Sequence, residues 1–257
     1  MLVDDARRFL RFIAPGALFG LETAVLLLLL RPDWFLSRLA ELKNANGLGF
    51  AVAGLLASGG LGFLFSAIHH EVHWSWESVF DHSGLIRGLI EAQQLHVLVL
   101  TPSGVENPLS SKDVTREKAL AVVGAMWHGR SDQPPIKGAD VRVVALSDIA
   151  HSAGIARIAS FFALATAIIT ASCVSQFSPH LWPFVRFVIA VALGVASIWL
   201  FGRTYRRVGS LSQAVIEQVL LASLTSLMGT DGGLTRTVIH INESLPKKAQ
   251  HKDGAYG

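Results

Sequence analysis

Blocks of apolar sequence constrain this chain more than anything else in it. Ile13 to Leu30, Gly47 to Ile68, Ile158 to Gln176 and Leu181 to Phe201 are four runs in which charge is almost absent. Each is about 18 to 22 residues long, the length at which a helix crosses a hydrocarbon core. A hydrophobic content of 51% with only 16% charged residues and a mean hydropathy of +0.45 point away from ordinary soluble domains. The expected fold is an α-helical polytopic membrane protein with four transmembrane helices. The first block is read as a retained span, because Arg31-Pro32-Asp33-Trp34 follows it without a small-residue cleavage site.

Lys and Arg resist translocation, so their positions set the orientation. Arg7, Arg8, Arg11, Arg87, Arg142, Arg157, Arg203, Arg206 and Arg207 fall on the side that holds both termini, against Arg31, Arg38 and Lys43 on the other. Both termini and segment 69–157 are therefore expected to be cytoplasmic, in a bacterial inner membrane. The formal charge of +3 and pI near 9.2 come from these flanking arginines. They point to membrane lipid, not to specific nucleic acid binding.

The chain divides into an N-terminal transmembrane hairpin (1–68, spans 13–30 and 47–68), a cytoplasmic insert (69–157) and a C-terminal hairpin (158–201). A cytoplasmic helix with a possible strand (202–242) and a disordered tail (243–257) follow. "RPDWFLSRLAELKNAN" reads as a short amphipathic helix in the outer interface. Within the small α+β insert, helix is expected through "SVFDHSGLIRGLIEAQQ", then a strand at "LHVLVL" (95–100) ended by "TPSG". An amphipathic helix follows in "SKDVTREKALAVVGAMWHG", capped by Asp113 or Thr115. "RSDQPPIKGAD" reads as a loop and "VRVVAL" (141–146) as a second strand pairing with the first. From Ser147 or Asp148 a helix continues into the third span. Past the fourth span, "GSLSQAVIEQVLLASLTSLM" is a further helix and "TRTVIHI" a strand.

Three groups of residues invite a specific role. Glu22 and Arg186 are charges inside apolar blocks and lie at similar depth, so an intramembrane ion pair is expected. Gly54, Ser58 and Gly62 recur every fourth residue on the second span, a spacing that lets helix backbones approach within the chain or between copies. His69 and His73 share one helical face, as do Asp148 and His151, and both pairs sit at the same cytoplasmic interface. Together they offer four N/O ligands for zinc or iron. The competing reading of "HHEVHW" is an interfacial belt, with His69 and His70 at headgroup depth and Trp74 and Trp76 anchoring it. "HHEVH" lacks the spacing of the metalloprotease helix, and no nucleophile elbow, Walker loop or dinucleotide fingerprint is present. The lone Cys173 excludes a disulfide framework within one chain.

These features favour a non-enzymatic, oligomeric inner-membrane protein with no cofactor. Its insert would receive a ligand or soluble protein partner and its four-helix bundle would respond, as in a sensor or membrane effector. A metal-dependent membrane enzyme built on the interfacial histidines is the alternative. A small transporter or channel is third, since the spans lack the polar residues that line a path.

Overall fold

A computed structural model describes residues 12–43, 47–76, 79–100, 104–174, 181–225 and 237–242. The described structure is 84% helical, with two long apolar helices and a small sheet. In chain order the elements are α1 (Ala14–Leu30), α2 (Pro32–Lys43), α3 (Gly47–Trp76), α4 (Ser83–Glu91), β1 (Leu95–Leu100), β2 (Glu106–Pro108), α5 (Arg116–Gly129), α6 (Pro134–Val174), α7 (Leu181–Thr225) and β3 (Thr237–Asn242). Pro134–Cys173 and Trp182–Leu224 are long and apolar enough to cross a membrane, and Ala14–Leu30 is a shorter apolar helix.

The chain forms two compact units, Met1–Val79 with Val144–Ser212, and Phe80–Val143 with Gln213–Gly257. In the first unit α1 and α3 touch backbone to backbone. A methyl group on Gly16 would run into the carbonyl of Ser58, and one on Gly62 into the carbonyl of Phe12. Phe65 of α3 packs against Phe19 of α1 at 5.4 Å between ring centroids and stacks on Phe162 of α6 at 5.6 Å. Leu26 and Leu27 meet Ala167 and Ala190, with Trp34 and Phe35 of α2 laid against them. One face of α2 is thus held by the bundle, while Leu36 and Leu39 on the other remain exposed.

The second unit is a three-stranded sheet in the order β2-β1-β3, covered by helices. β1 runs antiparallel to β2 (Leu98 opposite Pro108) and parallel to β3, in register from Leu95 with Thr237 to Leu100 with Asn242. Leu95, Val97 and Val99 alternate inward, as do Ile239 and Ile241, the period-two burial of a strand with one face on a core. They pack with Ile86 and Leu89 of α4, Val122 and Met126 of α5, Ile136 at the start of α6, and Leu220 and Leu224 near the end of α7. Thr115 caps α5, its hydroxyl accepting from the Lys118 N–H at 3.3 Å, as its sequence signature implies.

The strand expected at 141–146 is helical, inside α6. Both edges of β1 are already occupied, by β2 and β3. The paired prolines 134 and 135 open a helix where their missing N–H groups cost nothing, and the weak β preference of Val141, Val143 and Val144 yields to that context. The loop expected at 130–140 is accordingly short, with helix already from Pro134. The helix expected across 69–94 is broken, because α3 runs on to Trp76 and α4 starts afresh at Ser83. The helix expected beyond the fourth span is continuous with it in α7. The segments 177–180 and 243–257, expected as a tight connection and a disordered tail, lie outside the described residues.

Candidate functional site

Two groups of polar side chains in the first unit concern the site, one near the ends of the apolar stretches and one within them. At the ends, α3 contributes His69 and His73, α6 contributes His151 and Arg157, and α7 contributes Tyr205. His69 and Tyr205 are completely buried and His73 is nearly so. His69 Nε2 and His151 Nδ1 share a hydrogen bond of 3.2 Å, in which one nitrogen carries the proton and the other accepts. His73 Nδ1 is hydrogen-bonded to the Tyr205 hydroxyl. The three rings lie close together, with centroids 5.9 Å apart for His69 and His73, 5.5 Å for His69 and His151, and 5.3 Å for His73 and His151. Arg157 places its guanidinium 5.4 Å from the centroid of the Tyr205 ring.

Gly154 makes this convergence possible. Its Cα faces the His69 imidazole, and a Cβ there would overlap the ring, lying 2.6 Å from Nδ1. Only a glycine lets α3 bring an imidazole this near to α6. Burial, followed by the neighbouring His151, His73 and His70 rings and the Arg157 charge, lowers His69 from the ordinary imidazole value to about 3. It is therefore a neutral ring, able to act as hydrogen-bond donor, acceptor or ligand.

Of the expected residues, His69, His73 and His151 lie together, and Asp148 lies buried one turn before His151 on α6. As they stand, no group of three or more His, Cys, Asp or Glu side chains among the described residues is set to hold a metal ion. Of the two histidines expected in an interfacial belt, His69 is buried within the bundle and His70 is exposed. The side chains of Trp74 and Trp76 lie outside the described residues.

Within the apolar stretches, Glu22 is not joined to Arg186 by an ion pair. Its Oε1 accepts from the Ser197 hydroxyl at 2.5 Å, and Ser197 is 3.3 Å from the buried Ser160 hydroxyl. Arg186 instead sets its guanidinium 5.4 Å from the centroid of the Trp182 ring. The physical reason is axial. Ser197 lies eleven residues beyond Arg186 on the same helix, or about 16 Å along its axis. The small-residue stripe is divided: Ser58 meets Gly16 of α1 and Gly62 meets Phe12 just ahead of it, whereas a Cβ on Gly54 would touch nothing within 4 Å.

Tyr205, Gly154, Ser160 and Ser197 are the participants that sequence reasoning missed. A serine in an apolar helix usually bonds its own helix carbonyl, so it carries no signal of a partner. Tyr205 is one of only two tyrosines in the chain, and its place just past an apolar run was the one cue available. Compared with protein-family models, curated proteins and solved structures, the chain matches none of them.

Proposed function

We propose that this chain is a non-enzymatic, oligomeric, four-span protein of a bacterial inner membrane, with both termini and the α+β unit on the cytoplasmic side. That unit takes up a ligand or a soluble protein partner, and the helix bundle responds. The membrane reading is supported by apolar side chains left exposed on every long helix: Leu21 and Val25 on α1, Leu56 and Phe63 on α3, Phe161 and Ile169 on α6, and Phe184, Leu193 and Trp199 on α7. Exposed apolar surface of that extent suits lipid and not water. Self-association has room on the face of α3 that carries Gly54.

The single observation that carries the effector reading is helix continuity. Ile136 belongs to the core of the α+β unit, yet the same unbroken α6 reaches Val174 through an apolar stretch. A continuous helix transmits a shift or rotation, whereas a flexible linker dissipates it.

The experiment uses Cys173, which is exposed near the far end of α6. A nitroxide attached there in reconstituted protein should change its spectrum when Ile136→Ala loosens the α+β core, and two glycines inserted after Val144 should abolish that change. An unaltered spectrum in Ile136→Ala would remove the effector reading. A reporter active only in the cytoplasm, fused after Gly257, should be active, and one placed within 36–45 should be silent. The opposite pattern would remove the topology.

A further inference from the structure

We infer that α7 seats one lipid phosphate in each leaflet of a bilayer, on Arg186 beside Trp182 at its outer end and on Arg203 beside Trp199 at its cytoplasmic end. The inference rests on the membrane reading and adds to it the lipid chemistry and the depth. Its basis is a repeated pair. The Arg186 guanidinium lies 5.4 Å from the centroid of the Trp182 ring, and the Arg203 guanidinium lies 5.2 Å from that of Trp199. In both pairs the arginine follows the tryptophan by four residues, and the tryptophans are 63% and 55% exposed.

What lies between the pairs suits hydrocarbon. Phe184, Val188, Leu193 and Val195 are all exposed, and none offers a polar group to water. Seventeen residues separate the two tryptophans, about 26 Å along the helix axis, against a hydrocarbon core of about 30 Å. The indoles therefore stand where a bilayer changes from hydrocarbon to headgroup, the depth favoured by an apolar ring with one N–H donor. The apolar helix α1, 17 residues long, covers the same distance and is followed at once by Arg31, whose Nε donates to the Ala171 carbonyl at 3.3 Å.

The ligand follows from what the arginines lack. A guanidinium carries five N–H donors, yet among the described residues Arg186 and Arg203 have neither a carboxylate nor a hydrogen-bond acceptor, and each meets its tryptophan alone. At headgroup depth the group of opposite charge is the lipid phosphate, which a planar guanidinium pairs with through two parallel bonds. Helical side chains lean toward the helix N-terminus, so Arg186 is carried outward to the level of Trp182 and Arg203 back to the level of Trp199. Arg206 and Arg207, both exposed, add positive charge one turn further on, which favours an anionic phosphatidylglycerol at the cytoplasmic seat.

Depth along α7 is read from nitroxides on single cysteines in the whole chain carrying Cys173→Ser, reconstituted in phosphatidylglycerol and phosphatidylcholine, with oxygen and a water-soluble nickel chelate as relaxants. Val188→Cys and Leu193→Cys lie equally far from the midpoint of the two tryptophans and should report equal depth, with Phe184→Cys shallower than both. A difference of about 5 Å or more between the first two, close to a full turn, overturns the inference and leaves the membrane reading standing. Equal access of the chelate to all three positions removes the membrane reading and the inference with it. The phosphate is tested by titrating phosphatidylglycerol into the protein in detergent. Arg186→Gln and Arg203→Gln should each weaken one of two sites by about tenfold or more, whereas dioleoylglycerol, which lacks the phosphate, should bind the unaltered chain and both variants alike. Undiminished phosphatidylglycerol binding by both variants, with helical circular dichroism intact, overturns the inference. Should the variants fail to fold, the depth profile decides, since it leaves both arginines in place.

Discussion

Glu22 on α1 and Ser197 on α7 meet as acceptor and donor at 2.5 Å, although 175 positions separate them in sequence. The contact solves by hydrogen bonding what an ion pair would have solved by charge. Ser197→Ala should lower the unfolding midpoint by the equivalent of about 1 to 3 kcal/mol, because the carboxyl loses a partner it cannot replace in apolar surroundings. Thermal unfolding in detergent would show Glu22→Gln and Ser197→Ala to be non-additive. Glu22→Gln and Arg186→Gln should add. Coupling in the second pair and none in the first would reverse the assignment.

What was legible follows from the range of the interactions involved. The apolar blocks, the strand at 95–100 and the Thr115 cap are set by composition, alternation and local capping, all visible in a short window. The Glu22 partner was not legible, because a carboxyl in an apolar helix demands a donor without specifying which of several will have the right depth and rotation. His69, His73 and His151 were identified by helical phase. Their meeting depended on Gly154, a residue whose importance lies in what it lacks. The valines at 141–144 misled because β preference is decided by available edges, which no local window contains.

Glycine substitutions should separate contact from mere proximity in composition. Gly62→Ala and Gly154→Ala each force a methyl group into a neighbouring backbone or ring and should cost about 1 to 3 kcal/mol, the usual range for overpacking. Gly54→Ala meets nothing within 4 Å and should be neutral or slightly stabilising through helix propensity. Equal losses at all three positions, measured by thermal unfolding, would mean that the α1–α3 and α3–α6 contacts do not exist in the folded protein.

The α+β unit should lose stability in acid through Asp81. Burial alone would raise this carboxyl, but the Ser83 backbone N–H and hydroxyl, with Arg116 and Arg87 nearby, outweigh it and hold it below the ordinary carboxylate range. The backbone bond is 2.9 Å long and sits at the start of α4. A carboxyl depressed in the folded state stabilises it above the unfolded pKa, about 3.9, and that stabilisation is lost as pH falls through the folded value. Asp81→Asn should therefore flatten the stability profile below about pH 4 while leaving the shape above it unchanged. An identical acid slope in the variant would place the acid sensitivity elsewhere.

The largest effect expected comes from the segment that sequence reading treated as an appendage. Leu220 and Leu224 on α7 and Ile239 and Ile241 on β3 lie in one core with Ile86, Val97 and Met126, so segment 80–143 is completed by a piece of chain that follows the last apolar helix. Parallel pairing of β1 with β3 needs a long crossover, and here both α6 and α7 lie within that crossover. Two side-chain contacts reinforce the junction: the buried His82 Nδ1 lies 3.0 Å from Glu217 Oε1, and Gln213 donates to the Asp81 carbonyl at 2.6 Å. Leu220→Ala, at a position with no exposure, should cost about 2 to 5 kcal/mol. Ending the chain after Ser212 should do far more, uncovering one face of β1 and one edge at once. Segment 80–143 produced alone should then give a helical but uncooperative circular dichroism melt, and adding residues 213–257 through a flexible linker should restore a cooperative one. A cooperative melt from 80–143 by itself would show that the insert is an independent domain after all, and that the C-terminal strand merely decorates it.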